Sequence, residues 1–193
     1  MKIHIIGGPG SGKTFLAERI SKQFGIPHYD LDDLQWDNQA NDYGTKRAPQ
    51  ERDLLLNRIL QEENWVIEGV YYAWCGRCFE EADTIYLLSV PRRTYRYRIL
   101  RRFFRRKLGL EKGKKETLSS LSKLLKWADQ YQSKNLIEIR KLLVPYRDKV
   151  VDLSLSKSQG VKNCKRHTRE GMTAHGIVSG SKSTAIERRE HGY

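Results

Sequence analysis

The chain has little cysteine, little proline and no long apolar run. Three cysteines among 193 residues, an odd number, argue against a framework of paired disulfides. No apolar stretch approaches the roughly 18 residues of a membrane-crossing helix. A glycine-rich loop begins seven residues in, which leaves no room for a signal peptide, so the expected location is cytoplasmic. Apolar residues make up 38% of the chain, enough for one core but low for the length. Part of the chain is therefore expected to contribute nothing to that core. No internal repeat is present.

Acidic residues are scarce in one place only. Residues 92–126 hold 14 basic and 2 acidic side chains, a net +12 in a chain whose total is +13. Residues 1–91 hold 9 basic and 14 acidic side chains and are net negative. A basic stretch this concentrated points to an anionic ligand, without saying whether that is a nucleotide or a nucleic acid.

Gly7-Gly8-Pro9-Gly10-Ser11-Gly12-Lys13-Thr14 matches the phosphate-binding pattern G-x-x-x-x-G-K-[ST] without a mismatch. Ile3-His4-Ile5-Ile6 reads as a strand feeding the loop, and Leu16, Ile20 and Phe24 recur at helical spacing after it. In this context the loop Gly8, Pro9, Gly10, Ser11 and Gly12 wraps phosphate oxygens with the backbone N–H groups of its non-proline residues, helped by the helix dipole. Lys13 brings positive charge to the β- and γ-phosphates, and the Thr14 hydroxyl can ligate Mg²⁺.

The remaining pattern alternates strand and helix. Strands are expected at about 2–6, 26–30, 65–69, 84–90 and 149–155, and helices at about 12–24, 50–63 and 91–107. Two further leucine-rich helices follow, around Leu118–Leu125 and Leu136–Leu143, while 31–44 reads as irregular. The expected fold is α/β, a P-loop NTPase fold with a five-stranded parallel sheet and helices on both faces. Ligands of such sheets bind at the carboxyl ends of the strands, where Gly7, Asp30 and Glu68 fall. Residues 1–156 read as this domain, with a short Arg-rich lid at about 105–117. Residues 157–193 are basic, nearly free of apolar residues and aperiodic, and read as a disordered tail.

Taken together, these segments resemble the adenylate-kinase-like P-loop kinases, and more closely the bacterial group called DNA topology modulation proteins. The stretches that carry the likeness are Met1–Gly7, Ile26–Asp32, Trp65–Val70 and Lys107–Lys112, and it covers about residues 1–155. The resemblance implies an ATP- and Mg²⁺-dependent phosphotransferase acting on a small acceptor, working as a monomer. The group's name and the basic segment suggest a DNA-associated ATP-binding regulator as the alternative. No helix-turn-helix, zinc finger or RNA-binding signature accompanies them, so nucleic acid is not favoured.

The resemblance also assigns roles. An acid at the second strand's end, Asp30, aligns the acceptor or sits near the metal, with Asp32 as helper or helix cap. Glu68 stands where such kinases carry Asp before Gly and holds Mg²⁺ through water. Arg98 and Arg102 follow Val90-Pro91 in the register of the adenylate kinase arginine pair, and a spacing of four puts both on one helix face. Both would clamp phosphate and stabilise charge in transfer. Arg92, Arg93 and Arg96 read as a solvated face or a nucleic-acid stripe. Cys75-Gly76-Arg77-Cys78 lacks two further zinc ligands nearby and reads as a pair of plain thiols. His28 reads as packing. Trp36, Tyr71, Tyr72 and Trp74 read as core more readily than as a wall for a base or sugar.

Overall fold

A computed structural model describes residues 1–37, 45–110 and 117–154, and these belong to a compact unit spanning Met1–Ser156. The expected tail at 157–193 and the centre of the expected lid, 111–116, lie outside the described residues.

Five strands form one parallel sheet: β1 (Lys2–Gly7), β2 (His28–Asp30), β3 (Trp65–Gly69), β4 (Thr84–Leu88) and β5 (Val150–Asp152). Their spatial order is β2-β3-β1-β4-β5. From β1 the chain crosses to the edge strand β2, returns inward to β3 and then passes over β1 to β4 and β5, and the reversal opens a crevice at the carboxyl end of β1. β1 is central, with Ile5 paired in register to Glu68 on one side and Tyr86 on the other.

Side-chain alternation along β1 builds two cores. Ile3 and Ile5 face α1 (Lys13–Phe24), where Ala17 and Ile20 meet Val66, Tyr86 and Leu88. Ile6 faces the opposite layer, with Ile67, Ile85 and Leu87. That layer contains α2 (Leu31–Gln35), α3 (Pro49–Leu60), α4 (Gly76–Glu81) and α7 (Leu136–Leu142). A third cluster joins α5 (Arg92–Lys107) to α6 (Leu118–Gln130), through Tyr95, Ile99 and Phe103 against Leu121 and Ala128. Helices therefore cover both faces of the sheet, as the alternating pattern requires.

The structure departs from the expected elements in three places. Leu31–Gln35 is a helix, not irregular chain: Asp30 caps it by accepting the Asp32 amide at 2.9 Å, and Leu31 and Leu34 are buried beneath it. The cap is thus Asp30 and not Asp32. Gly76–Glu81 is a helix too short for its periodicity to register in the sequence. The two leucine-rich helices are one run, α6 continuing into α7 through a π-helical turn at Tyr131–Asn135. The wider turn brings the Tyr131 ring inward, where it is 1% exposed.

Candidate functional site

The phosphate loop leaves β1 at Gly7 and enters α1 at Lys13. Gly12, just before the helix, has φ of +101°, a left-handed conformation that side chains resist. Gly8 is constrained from outside: a β-carbon there would stand 2.9 Å from Cδ1 of Tyr131. The Tyr131 hydroxyl donates to the carbonyl of Val70 at 3.0 Å, so one buried ring braces both the loop and the chain leaving β3.

Lys13 and Thr14 both meet Glu68. The Thr14 hydroxyl donates to Glu68 Oε1 at 2.5 Å, and Lys13 Nζ stands 3.7 Å from Oε2. Glu68 is only 1% exposed, and His28 Nε2 lies 4.0 Å from Oε1. Asp30 is paired with Glu68 across β2 and β3. Burial first, and then the neighbouring Glu68 charge, push the Asp30 carboxyl up to about 7.

From the other side, α5 directs arginines at the loop. Arg98 Nη1 donates to the carbonyls of Gly10 at 3.2 Å and Ser11 at 2.7 Å. Arg102 and Arg106 follow at intervals of four and line the same cleft. Arg92 lies at the far end of the helix and pairs with Asp129 at 2.6 Å, with the Tyr95 hydroxyl donating to the same carboxylate.

These groups enclose one cleft of about 780 Å³. Of the residues singled out in the sequence, Pro9, Gly10, Gly12, Lys13, Thr14, Asp30, Asp32, Glu68, Arg98 and Arg102 line it. Gly8 and Ser11 shape the loop behind it; Ser11 is 5% exposed, and its amide bonds to the Gly8 carbonyl at 3.2 Å. Trp36 joins the lining. Tyr71 supports it from behind, its hydroxyl donating to Asp32 Oδ1 at 2.7 Å and its ring lying 5.3 Å from that of Trp74. Tyr72 instead donates to Glu138 on α7. Asp33, Leu124 and Trp127 also line the cleft, and sequence reasoning did not assign them to it; Arg106, which continues nearly the face of Arg98 and Arg102, lines it as well. Arg106 was legible from its spacing to Arg102. Nothing local marks Leu124 or Trp127, because only the packing of α6 on α5 brings them in.

Cys75 and Cys78 are free and buried, and the Cys75 thiol donates to the carbonyl of Tyr71 at 2.9 Å. The hydrogen-bonded Cys78 neighbour first, and burial second, hold the Cys75 thiol well above its usual range. Among the described residues no three His, Cys, Asp or Glu side chains converge as a metal cage, and no helix is long and apolar enough to cross a membrane. The Thr14 hydroxyl and the buried Glu68 carboxylate are hard oxygen donors. Such a pair suits Mg²⁺, which keeps most of its water and takes few protein ligands.

Comparison with known proteins fits this construction. No protein-family model matches the chain. An uncharacterised protein of Bacillus subtilis, YqaC, is 28% identical over 141 residues, covering 72% of this chain and 76% of that one. The adenylate kinases of Caldicellulosiruptor saccharolyticus and Caldicellulosiruptor bescii are 34% and 33% identical over 70 residues, and each match spans 32% of the adenylate kinase. The structure of shikimate kinase from Acinetobacter baumannii in complex with shikimate superposes with a TM-score of 0.50 at 15% identity, covering 91% of this chain and 94% of the other. The parallel sheet, the loop at its centre and these likenesses together make this a chain of P-loop kinase-like fold.

Proposed function

We propose that the protein is an ATP-dependent phosphotransferase that moves the γ-phosphoryl group of ATP to a hydroxyl of a small acceptor. One observation carries this reading. The phosphate loop, a carboxylate held near neutrality at Asp30, and the arginine row of α5 border a single cleft.

Each group then has a task that its surroundings suit. The loop amides and Lys13 bind the β- and γ-phosphates. Thr14, and Glu68 through water, would hold Mg²⁺, which would supply neutralisation of phosphate charge. Arg98 fastens the loop to α5, while Arg102 and Arg106 face the phosphoryl group in flight. The acceptor hydroxyl oxygen forms a bond to the γ-phosphorus as the bond to the bridging β–γ oxygen breaks. ADP departs with that electron pair, and the hydroxyl proton passes to Asp30, whose carboxyl sits near the optimum for a base at neutral pH.

Within the kinase-like proteins, the grouping with the DNA topology modulation proteins is part of this proposal, as are a monomer and a cytoplasmic setting. A DNA-associated role draws on the charge of α5, but Arg98, Arg102 and Arg106 turn part of that charge toward the cleft and Arg92 is paired with Asp129. The phosphotransferase reading is therefore preferred. It is tested by ADP release from Mg²⁺ and ATP across nucleosides, nucleotides, sugars and small hydroxy acids. One acceptor should raise ADP release well above background, and Lys13→Ala should abolish the increase. A flat response across the panel counts against it.

A further inference from the structure

The cleft is divided by charge. Its cations are Lys13 at the start of α1 and Arg98, Arg102 and Arg106 on α5. Facing them across the loop are Asp30, Asp32 and Asp33 from the β2–α2 corner, with Glu68 between the two sides. Among the described lining residues, the β2–α2 and β3 edge contributes no cation. Asp32 is oriented by the Tyr71 hydroxyl, a partner that fixes its direction without adding positive charge. Trp36 ends the same corner, held by its amide bond to the Asp32 carbonyl at 3.0 Å and by a backbone bridge to Lys46. Leu124 and Trp127, the latter 41% exposed, supply a second apolar surface from α6.

Building on the phosphotransferase reading, we infer that the acceptor is a hydroxylated ring compound bearing no phosphate or carboxylate, and that an amine is its favoured charged substituent. An anionic substituent on the acceptor would be seated beside Asp30 and Asp32, where like charges oppose it. An ammonium group would be paired there, and the indole faces suit the apolar face of a sugar or base ring.

The test uses the full chain with Mg²⁺ and ATP, and acceptors in matched pairs: adenosine and AMP, glucose and glucose 6-phosphate, glucosamine and glucosamine 6-phosphate, with shikimate as a carboxylate. In at least one pair the unphosphorylated member should drive ADP release about tenfold or more faster than its phosphorylated partner. Asp32→Lys should narrow or reverse that ratio by about tenfold. Asp32→Asn, nearly isosteric and still able to accept from Tyr71, should move it the same way by less. Glucosamine should drive ADP release faster than glucose, and Asp32→Asn should lessen that preference. Faster turnover with the phosphorylated members or shikimate overturns the acceptor assignment and leaves phosphoryl transfer standing. ADP release that no acceptor accelerates, while ATP still binds in a Lys13-dependent way, overturns transfer itself and the assignment with it.

Discussion

The Thr14 hydroxyl donates to the buried carboxylate of Glu68, 54 residues away in sequence, at 2.5 Å. The contact ties the first turn of α1 to the tip of β3, and Lys13 shares the same carboxylate at 3.7 Å. The phosphate loop is thus anchored at its exit by one side chain that has almost no access to water. Substitutions around this anchor should separate binding from folding.

Lys13→Ala removes a charge from the phosphate side and leaves Glu68 buried with one partner fewer. ATP affinity should fall by about tenfold or more, the scale of one charge-assisted hydrogen bond. Glu68→Gln keeps the shape of the site and the bond from Thr14. It should raise the Mg²⁺ concentration needed for half-maximal ADP release while changing the unfolding midpoint little. Titrating Mg²⁺ at fixed ATP measures the first effect and urea unfolding the second.

Arg102 and Arg98 should respond differently although they share a helix face. Arg98 donates to the carbonyls of Gly10 and Ser11, so Arg98→Ala should loosen the loop and weaken ATP binding. Arg102→Ala should lower turnover at saturating ATP by about a thousandfold, the lower end for an arginine that neutralises charge in phosphoryl transfer. Arg102→Lys should recover little, since a point charge cannot reproduce the planar fork. Steady-state kinetics on both variants would decide, and equal effects on KM and kcat would contradict the division.

Asp30 sets the expected pH response. Its carboxyl lies up near 7, so it is half ionised around neutrality, and a base must be ionised to take the acceptor proton. Turnover should therefore rise as pH increases through about 7 and level off above it. A folded-state value above the usual carboxylate range also means that the ionised form costs stability, most fully above pH 7. Asp30→Asn should accordingly abolish turnover and leave the protein more stable at pH 8 than the parent. The lost amide cap of α2 is spared, because the Asn oxygen can still accept it.

His4 gives a second pH signal, this one in folding alone. Its ring is wholly buried in β1, neither nitrogen has a hydrogen-bond partner, and it lies edge-on to Phe79 at 4.9 Å. Burial drives it down to about 3 from its usual 6.5. The unfolded chain therefore binds a proton below pH 6.5 that the folded chain refuses. Stability should drop by about 1.4 kcal/mol for each pH unit below that point. His4→Leu should flatten this slope, measured as the difference between urea midpoints at pH 5 and pH 7.

Much of this architecture was legible in the chain. Ile3 to Ile6 and Thr84 to Leu88 are apolar runs that only a strand covered on both faces would carry, and the loop motif between a strand and a helix specifies its own geometry. The α2 corner was less legible. Leu31 to Gln35 is one turn long, and its helix depends on the Asp30 cap and on Leu31 and Leu34 finding the core. Asp30 and Asp32 could not face one ligand on a continuing strand. Both line one cleft because the strand stops at Asp30 and the backbone coils.

Sequence by itself determined the parallel sheet, the phosphate loop and the arginines four apart, because each is a local pattern whose period or spacing forces a backbone path. Only the tertiary structure decided what stands opposite the loop. Trp127, Leu124 and Tyr131 reach it because α6 folds back onto α5 and bulges at Tyr131–Asn135. Asp32 is aimed by Tyr71 from another segment. Such contacts join residues tens of positions apart, and no local period encodes them. They arise from the closure of the core, which leaves cations on one wall of the cleft and carboxylates on the other.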